Sequence, residues 1–455
     1  MRARPQDTIA AVATPPGTGA IGIVRLSGPR AIDIVARFFV STQGRDLRHG
    51  RVFHGEIRNG DEIVDEVLVH LMRAPRSYTR EDVVEVNCHG GPGPVRAVLE
   101  LVLEGGARLA EPGEFTKRAF LNGRIDLVQA EAVIDRIQAQ THAALRAASA
   151  AARGRLSKAT REIRETLLDA LARIEAAVDF PEDDLPELVD EALRVRIEDC
   201  RMRMAELLET SDAGRLLREG ASVAIAGRPN VGKSSLFNAL LRDARAIVTA
   251  HPGTTRDLIE EVITISGIPV RLTDTAGLRS TADEVERIGV EVARKALDTA
   301  DAVLLVTDAT QSEALDGEVM RDVLDRPIPV VLAQNKVDLA PSAGLPDGRE
   351  TFAESVRVSA KTGEGLAQLE EALARVLLGG TSVSTEHAIV NRVHQRDSLR
   401  RALEAVVRLL GNYGASPEFL SIDLRDALHA LGEITGETTS EDVLDRIFSS
   451  FCIGK

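Results

Sequence analysis

Hydrophobic and polar positions change rhythm several times along the chain, and each change predicts a different kind of element. Residues 7–27 read as strand, turn, strand: DTIAAVA and IGIVRLS are separated by TPPGTGA, whose Pro and Gly residues break both runs. Short strands are predicted at Arg51–Ile57, Glu66–Arg73 and Asp82–Cys88, and a helix from Pro94 to about Glu104 after the Gly90–Gly93 breaker. An α+β N-terminal domain over 1–121, ending near Phe120, accounts for these elements.

From Asn122 to about Glu219 the period becomes helical. Leu127, Ala130, Val133, Ile134 and Ile137 recur at helical spacing, as do Ile163, Leu167, Leu168 and Leu171. The acidic, proline-bounded run Asp179–Pro186 interrupts this pattern and reads as a solvated loop. Over 220–380 strands and helices alternate, the signature of a doubly wound parallel sheet. Its strands are expected at Ser222–Ala226, Val262–Ile265, Val270–Asp274, Val303–Asp308, Val330–Gln334 and Val356–Ser359. After Gly379 and Gly380 the helical pattern returns in Val393–Leu410, Leu420–Glu433 and Glu441–Phe451. The chain is therefore read as multidomain. One all-α helical domain is discontinuous (122–219 and 381–455), and an α/β P-loop GTPase domain of Ras-like type (220–380) is inserted in it.

Composition narrows the partners. In 455 residues, 44% are hydrophobic, 28% charged and 3% aromatic, with no Trp, which disfavours a base-stacking platform for single-stranded nucleic acid. A formal net charge of −14 repels phosphate backbones over most of the surface, so RNA contact requires a local basic patch or a partner. No apolar stretch has the length of a membrane span, and Cys88, Cys200 and Cys452 are too few and scattered for a disulfide framework or zinc site. A cytoplasmic protein with reduced thiols is expected.

The chemistry concentrates in 220–380. Strand SVAIA runs into Gly227-Arg-Pro-Asn-Val-Gly232-Lys233-Ser234 and then a helix from Ser235, the strand–loop–helix context of a P-loop. Gly227 and Gly232 let backbone N–H groups turn inward and cradle phosphate oxygens beside the helix N-terminus, and Asn230, Val231, Gly232 and Ser235 are expected to contact the nucleotide. Lys233 would reach the β- and γ-phosphates, and the Ser234 hydroxyl would ligate Mg²⁺. Asp274-Thr275-Ala276-Gly277 ends a neighbouring strand, with Asp274 on the Mg²⁺ side and Gly277 facing the γ-phosphate. The switch-like loop Gly253-Thr254-Thr255-Arg256-Asp257 offers Thr255 to complete the Mg²⁺ shell. Asn335-Lys336-Val337-Asp338 and Ser359-Ala360-Lys361 supply guanine recognition: the Asp338 carboxylate accepts from the N1–H and N2–H₂ edge, and the Ala360 N–H suits O6. Leu278 stands where Ras-like enzymes carry a water-orienting glutamine, leaving Glu286 in the segment DEVER as a candidate, with a solvated helix carboxylate as the equal alternative. These elements together predict a GTP hydrolase, acting on an acid anhydride.

With DTAGLR, DEVERIG and the P-loop, the chain resembles the MnmE (TrmE) family of tRNA modification GTPases. TPPGTGAIGIVRLSG, SYTREDVVEVNCHGG, EPGEFTKRAFLNGRIDLVQAEA and the terminal FCIGK extend the resemblance over essentially the whole chain. It implies a homodimer formed through N-terminal domains that bind a tetrahydrofolate one-carbon donor. It also implies that, with the FAD-dependent partner MnmG, the chain modifies carbon 5 of the wobble uridine of certain tRNAs, adding a carboxymethylaminomethyl group. By motif, Arg25, Glu85, Arg124 and Lys455 would contact the folate. The resemblance places K⁺ where an arginine finger works elsewhere: Asn230 would be a side-chain ligand, and the loop Thr249-Ala250-His251-Pro252-Gly253-Thr254 would wrap the ion, with Thr249, His251 and Thr254 ligating. It makes Glu286 the catalytic acid acting on the attacking water, beside Lys233. Cys452 matches a terminal cysteine considered for chemistry near the folate, with an inert thiol equally open. Cys88 and His89 are expected to be structural. Thr18, Arg80 and Arg124 depart from residues common in the family, where Gly often stands at the position of Arg80 and Lys at that of Arg124. The alternatives are a GTP-gated assembly switch, which folate contacts at Arg25, Glu85, Arg124 and Lys455 would argue against, and a ribosome-assembly GTPase, which would need a basic RNA-binding domain.

Overall fold

The structure is a computed structural model and describes residues 7–42, 48–179, 190–243, 260–274, 297–311, 323–345, 351–380 and 388–455. In chain order the N-terminal elements are β1 (Ile9–Val12), β2 (Ile21–Ser27), α1 (Ala31–Phe38), β3 (Phe39–Ser41), β4 (Val52–Asn59), β5 (Glu62–Met72), β6 (Val83–His89), α2 (Pro92–Glu104), β7 (Arg108–Leu109) and α3 (Glu114–Leu121). Helices follow as α4 (Leu127–Gln138), α5 (His142–Ala152), α6 (Arg155–Asp179), α7 (Glu191–Glu209) and α8 (Ser211–Glu219). The α/β region holds β8 (Ala221–Ala226), α9 (Lys233–Asp243), β9 (Glu260–Ile265), β10 (Ile268–Asp274), β11 (Ala302–Asp308), β12 (Val330–Asn335), β13 (Glu354–Arg357) and α10 (Leu366–Leu377). The chain closes with α11 (Val393–Gly411), α12 (Pro417–Thr435) and α13 (Glu441–Phe448). No helix among the described residues is long and apolar enough to cross a membrane.

Contacts divide the chain into two units. One comprises Met1–Ile134, Ala152–Asp190 and Arg408–Lys455, the other Asp135–Ala151 and Glu191–Val407. The first carries a seven-stranded sheet in the order β3-β4-β5-β6-β2-β1-β7. It is antiparallel except where β1 runs beside β7. Alternation along β4, β5 and β6 puts Phe53, Ile57, Val67, Val69, Val84 and Val86 on one face, where Ile34 and Val35 of α1 and Val98 and Val102 of α2 cover them. The opposite face of β2 and β6 presents Arg25 directly across from Glu85.

Beyond the sheet, the fully buried Arg118 of α3 donates to Asp7, Glu81 and Glu114, and Arg108 of β7 donates to Asp7 and Glu114. A buried cation with this many partners fixes α3 against β1 and the loop before β6, since removing any one leaves a desolvated charge behind. The C-terminus belongs to the same unit. Phe448 and Phe451 pack with Leu127, Ala130 and Leu444, and the Gly113 N–H donates to the Cys452 carbonyl at 3.3 Å. A side chain at Gly454 would overlap the Val12 carbonyl oxygen, so the last residues lie flat on β1.

The second unit contains a six-stranded sheet, β13-β12-β11-β8-β10-β9. Strands β8, β11 and β12 are nearly continuous buried apolar runs because helices and loops cover both faces. One core contains Leu236 and Leu240 of α9 with Leu369 and Leu373 of α10, and the other contains Leu297, Val303 and Leu332.

The expected strands and the long helices are present within a few residues. Several elements differ from expectation, among them the short β3 (Phe39–Ser41) and α3 (Glu114–Leu121), which were not anticipated. The sheet is not wholly parallel: β9 pairs with β10 antiparallel, joined by Ser266 (φ 49°) and Gly267 (φ 87°). Two successive positive-φ residues make the tight hairpin whose twist matches the strands, so no crossover helix fits there. The helix α1 was not anticipated, because Gly28-Pro29 reads as a turn and eight residues span barely two helical turns. The two-residue β7 is too short to show any period.

Candidate functional site

The P-loop begins where β8 ends. Gly232 has φ 94°, and a Cβ there would overlap Nδ2 of Asn335, so only glycine admits the Asn335 amide this close. The Lys233 ammonium, buried, donates to the carbonyls of Gly227 at 2.8 Å and Arg228 at 2.7 Å. It thus lies inside the loop at the start of α9, where backbone N–H groups and the helix dipole favour phosphate. Ser234 and Ser235 are exposed on the first turn of α9.

Asn335 couples this loop to the base-recognition segment. At 1% exposure it donates through Nδ2 to the Val231 carbonyl (2.9 Å) and accepts the Ala360 N–H (3.0 Å). Lys336 makes a second tie, donating to the Asn230 carbonyl (2.7 Å) and the Asp308 carboxylate (2.6 Å). Burial alone would raise the Asp308 carboxyl, but hydrogen bonds from Lys336 and Thr310 bring it below its ordinary value. Asn230 and Lys336, at φ 64° and 65°, face each other in left-handed backbone, the strained pairing expected of a functional loop.

Asp338 accepts the Ser359 hydroxyl at 2.7 Å, and that hydroxyl in turn accepts the Thr362 N–H at 3.2 Å. The Ser359 proton must therefore go to Asp338, which fixes one carboxylate oxygen as an acceptor. Asp338, Leu339, Ala360 and Lys361 line a cleft of about 510 Å³ together with Gly232, Ser235, Asn335 and Lys336. The Asp338 carboxylate on its wall matches the N1–H and N2–H₂ donor edge of guanine, while the Ala360 N–H, expected to meet O6, donates to Asn335 Oδ1 in this structure. Asn238 and Arg242 of α9 also line it, and sequence reasoning did not single them out.

The described residues thus bring together Asn230, Val231, Gly232, Lys233, Ser235, Asn335, Lys336, Asp338, Ser359, Ala360 and Lys361. Thr249, Ala250, His251, Pro252, Gly253, Thr254, Thr255, Thr275, Ala276, Gly277, Leu278 and Glu286 lie outside the described residues, as does the side chain of Asp274. No cluster of three or more His, Cys, Asp or Glu side chains suited to a metal occurs among the described residues. A magnesium ion bound through hydroxyl, phosphate and water oxygens needs no such cluster.

A second polar site lies in the N-terminal unit. Arg25 donates through Nε to Glu85 (2.8 Å) and through Nη1 to the Gly454 carbonyl (3.0 Å), and both charged groups are largely buried. The same guanidinium sits 5.9 Å from the Tyr78 ring and 5.7 Å from Phe115, and Arg124 sits 4.7 Å from Tyr78. Tyr78 is held by its hydroxyl at 2.9 Å from Thr116 Oγ1. Burial, with the Arg25 charge beside it, keeps the Lys455 ammonium below the ordinary lysine value while Glu85 opposes the shift. Arg25, Glu85, Arg124 and Lys455 therefore form one cluster around the Arg25 guanidinium and the Tyr78 ring, and Tyr78 and Phe115 are the members that sequence reasoning missed. Cys452 is exposed. Cys88 is buried, its thiol donating to the Gly22 carbonyl and pushed up to about 11 by burial and by Asp65. His89 Nδ1 lies 2.6 Å from Asp65, which raises the imidazole above its ordinary value.

A family model described as the MnmE helical domain matches residues 127–452, and one described as the GTP-binding protein TrmE N-terminus matches residues 8–124. Three curated proteins named tRNA modification GTPase MnmE are similar over nearly their full lengths. The chain is 48% identical to that of Geobacter sulfurreducens over 99% of each chain, and 49% identical to that of Heliobacterium modesticaldum over 99% of each. It is 50% identical to that of Chloroflexus aurantiacus over 99% of this chain and 100% of the relative.

Proposed function

The chain belongs to the MnmE family of tRNA modification GTPases, and from that premise we propose that it uses GTP hydrolysis to drive addition to carbon 5 of the wobble uridine of certain tRNAs. The observation that carries the GTPase part is the Asn335 bridge, which holds the phosphate loop and the guanine-reading segment as one rigid wall. In this reading Asp338 and Ala360 take the guanine edge, and Lys233 leaves the loop carbonyls for the β- and γ-phosphates. We assign Ser234, with Thr255 and Asp274, to Mg²⁺, which supplies charge neutralisation at the phosphates. The exposed Ser234 hydroxyl on the first turn of α9 fits a hard cation.

We further assign Asn230, with Thr249, His251 and Thr254, to K⁺. That ion supplies fixed positive charge beside the bond being broken. The fit rests on Asn230, whose side chain is exposed while Lys336 pins its backbone. Hydrolysis is expected to run about a hundredfold faster in KCl than in NaCl at equal ionic strength, the scale of one lost electrostatic partner. Equal rates in the two salts would remove the K⁺ assignment.

The cluster of Arg25, Glu85, Arg124 and Lys455 is read as the site of a tetrahydrofolate one-carbon donor. Its fit rests on a buried carboxylate and guanidinium beside an aromatic wall, which suit a flat hydrogen-bonding ring. Homodimerisation, partnership with MnmG, cytoplasmic location and the domain bounds 1–121, 122–219, 220–380 and 381–455 belong to the same proposal. Glu286 is assigned to orient the attacking water. In cells lacking the endogenous protein, the chain should restore the modified wobble nucleoside, measured by chromatography of digested tRNA. The Glu286→Ala variant should keep GTP affinity but fail to restore it. Restoration by that variant would sever hydrolysis from modification.

A further inference from the structure

Arg80 stands where the backbone resists it. Its φ is 59°, in the left-handed region that glycine enters freely and a side chain enters only against its own carbonyl. The residue is exposed, so no core packing holds it there. Its one hydrogen bond among the described residues runs from Nη1 to the Asn122 carbonyl at 3.0 Å and brings the guanidinium beside Gly123. Gly123 directly precedes Arg124, whose guanidinium rests on Tyr78. Two exposed cations thus stand at the Tyr78 cluster, Arg80 beside the residue that precedes Arg124, and neither forms an ion pair with a carboxylate among the described residues.

The cluster consequently has polarity. Around Arg25 the Glu85 carboxylate and the guanidinium are paired and largely buried, beside Tyr78 and Phe115. Around Arg124 and Arg80 the charge is positive, exposed and without an ion pair among the described residues. A ligand matching both ends carries a hydrogen-bonding ring and an acidic tail. Planar guanidinium groups present paired N–H donors that fit carboxylates, and a backbone held in strain at an exposed site is characteristic of a residue kept for binding.

We propose that Arg80 is a specificity residue that reads the carboxylates of the folate's glutamyl tail, acting beside Arg124 at the exposed edge of the cluster. This rests on the folate reading above and adds to it the end of the ligand that is recognised. The test is calorimetric titration of the full chain, wild type and Arg80→Gly, with tetrahydropteroate, tetrahydrofolate monoglutamate and its triglutamate at low salt. Wild type should bind the glutamylated ligands more tightly than tetrahydropteroate. Arg80→Gly should weaken the glutamylated ligands by about fivefold, the scale of a solvent-exposed charge pair, and leave tetrahydropteroate unchanged. Its melting temperature should be equal or higher, because glycine relieves the strain. Unchanged affinity for all three ligands, or an equal fall for the tailless one, overturns the proposal. So does weaker tRNA binding with folate binding intact. If wild type binds none of the three pterins, the folate reading itself fails and the Arg80 assignment falls with it.

Discussion

Asp338→Asn is expected to exchange the nucleotide preference from guanosine to xanthosine triphosphate. The Ser359 hydroxyl receives the Thr362 N–H and must donate to residue 338, so an asparagine there turns its carbonyl oxygen to Ser359 and its Nδ2 into the cleft. That amide meets the N1–H and N2–H₂ donors of guanine donor to donor. Xanthine instead presents a carbonyl at position 2. Losing hydrogen bonds to a charged acceptor and leaving donors unsatisfied costs about 3 kcal/mol, so GTP affinity should fall about a hundredfold and xanthosine triphosphate affinity should rise in compensation. Fluorescence titration with labelled nucleotides measures both. Unchanged preference would mean that Asp338 does not touch the base.

Lys233→Ala is expected to lower kcat for GTP by about 10² to 10³, the loss associated with one preorganised donor at a developing charge. The structural cost is separable. In the structure the buried ammonium bonds to the Gly227 and Arg228 carbonyls, so its removal leaves two acceptors without that donor, and the melting temperature should fall, a loss read apart from kcat. Lys233→Arg should fall nearly as far, since a guanidinium cannot enter the same turn with the same geometry. Wild-type turnover in Lys233→Ala would remove Lys233 from the phosphate site.

How much of this was legible in the sequence follows from what each feature depends on. The strands β8, β11 and β12 could be read because burial on both faces demands unbroken apolar runs. The P-loop turn before α9 and the Asn335–Asp338 and Ser359–Lys361 segments lie together as the sequence predicts, because each puts its residues consecutively. What could not be read were ties across the chain. Asn335 reaches Val231 and Ala360, and Lys336 reaches Asn230 and Asp308, over separations that no local pattern encodes. The antiparallel β9 was hidden because a hairpin edge strand carries the same residues as a parallel one, and only the Ser266-Gly267 turn distinguished it. Tyr78 left a faint signal: it is one of only two tyrosines in the chain, and its role becomes visible when Arg25 and Arg124 are seen on the same ring. Arg80 stood out in the sequence only as a position where the family often has Gly, and its left-handed backbone angle supplies the physical reason.

In the proposed reading one cleft, lined by Gly232, Asn335, Asp338 and Ala360 beside Lys233, selects a guanine nucleotide. Calorimetric titration of the full chain with GDP and with ADP, both with Mg²⁺, tests it most directly. One GDP should bind per chain, with ADP at least about a hundredfold weaker because adenine offers the Asp338 carboxylate no N1–H and N2–H₂ pair and leaves it only the Ser359 hydroxyl. Comparable binding of ADP, or no binding of GDP, would contradict it.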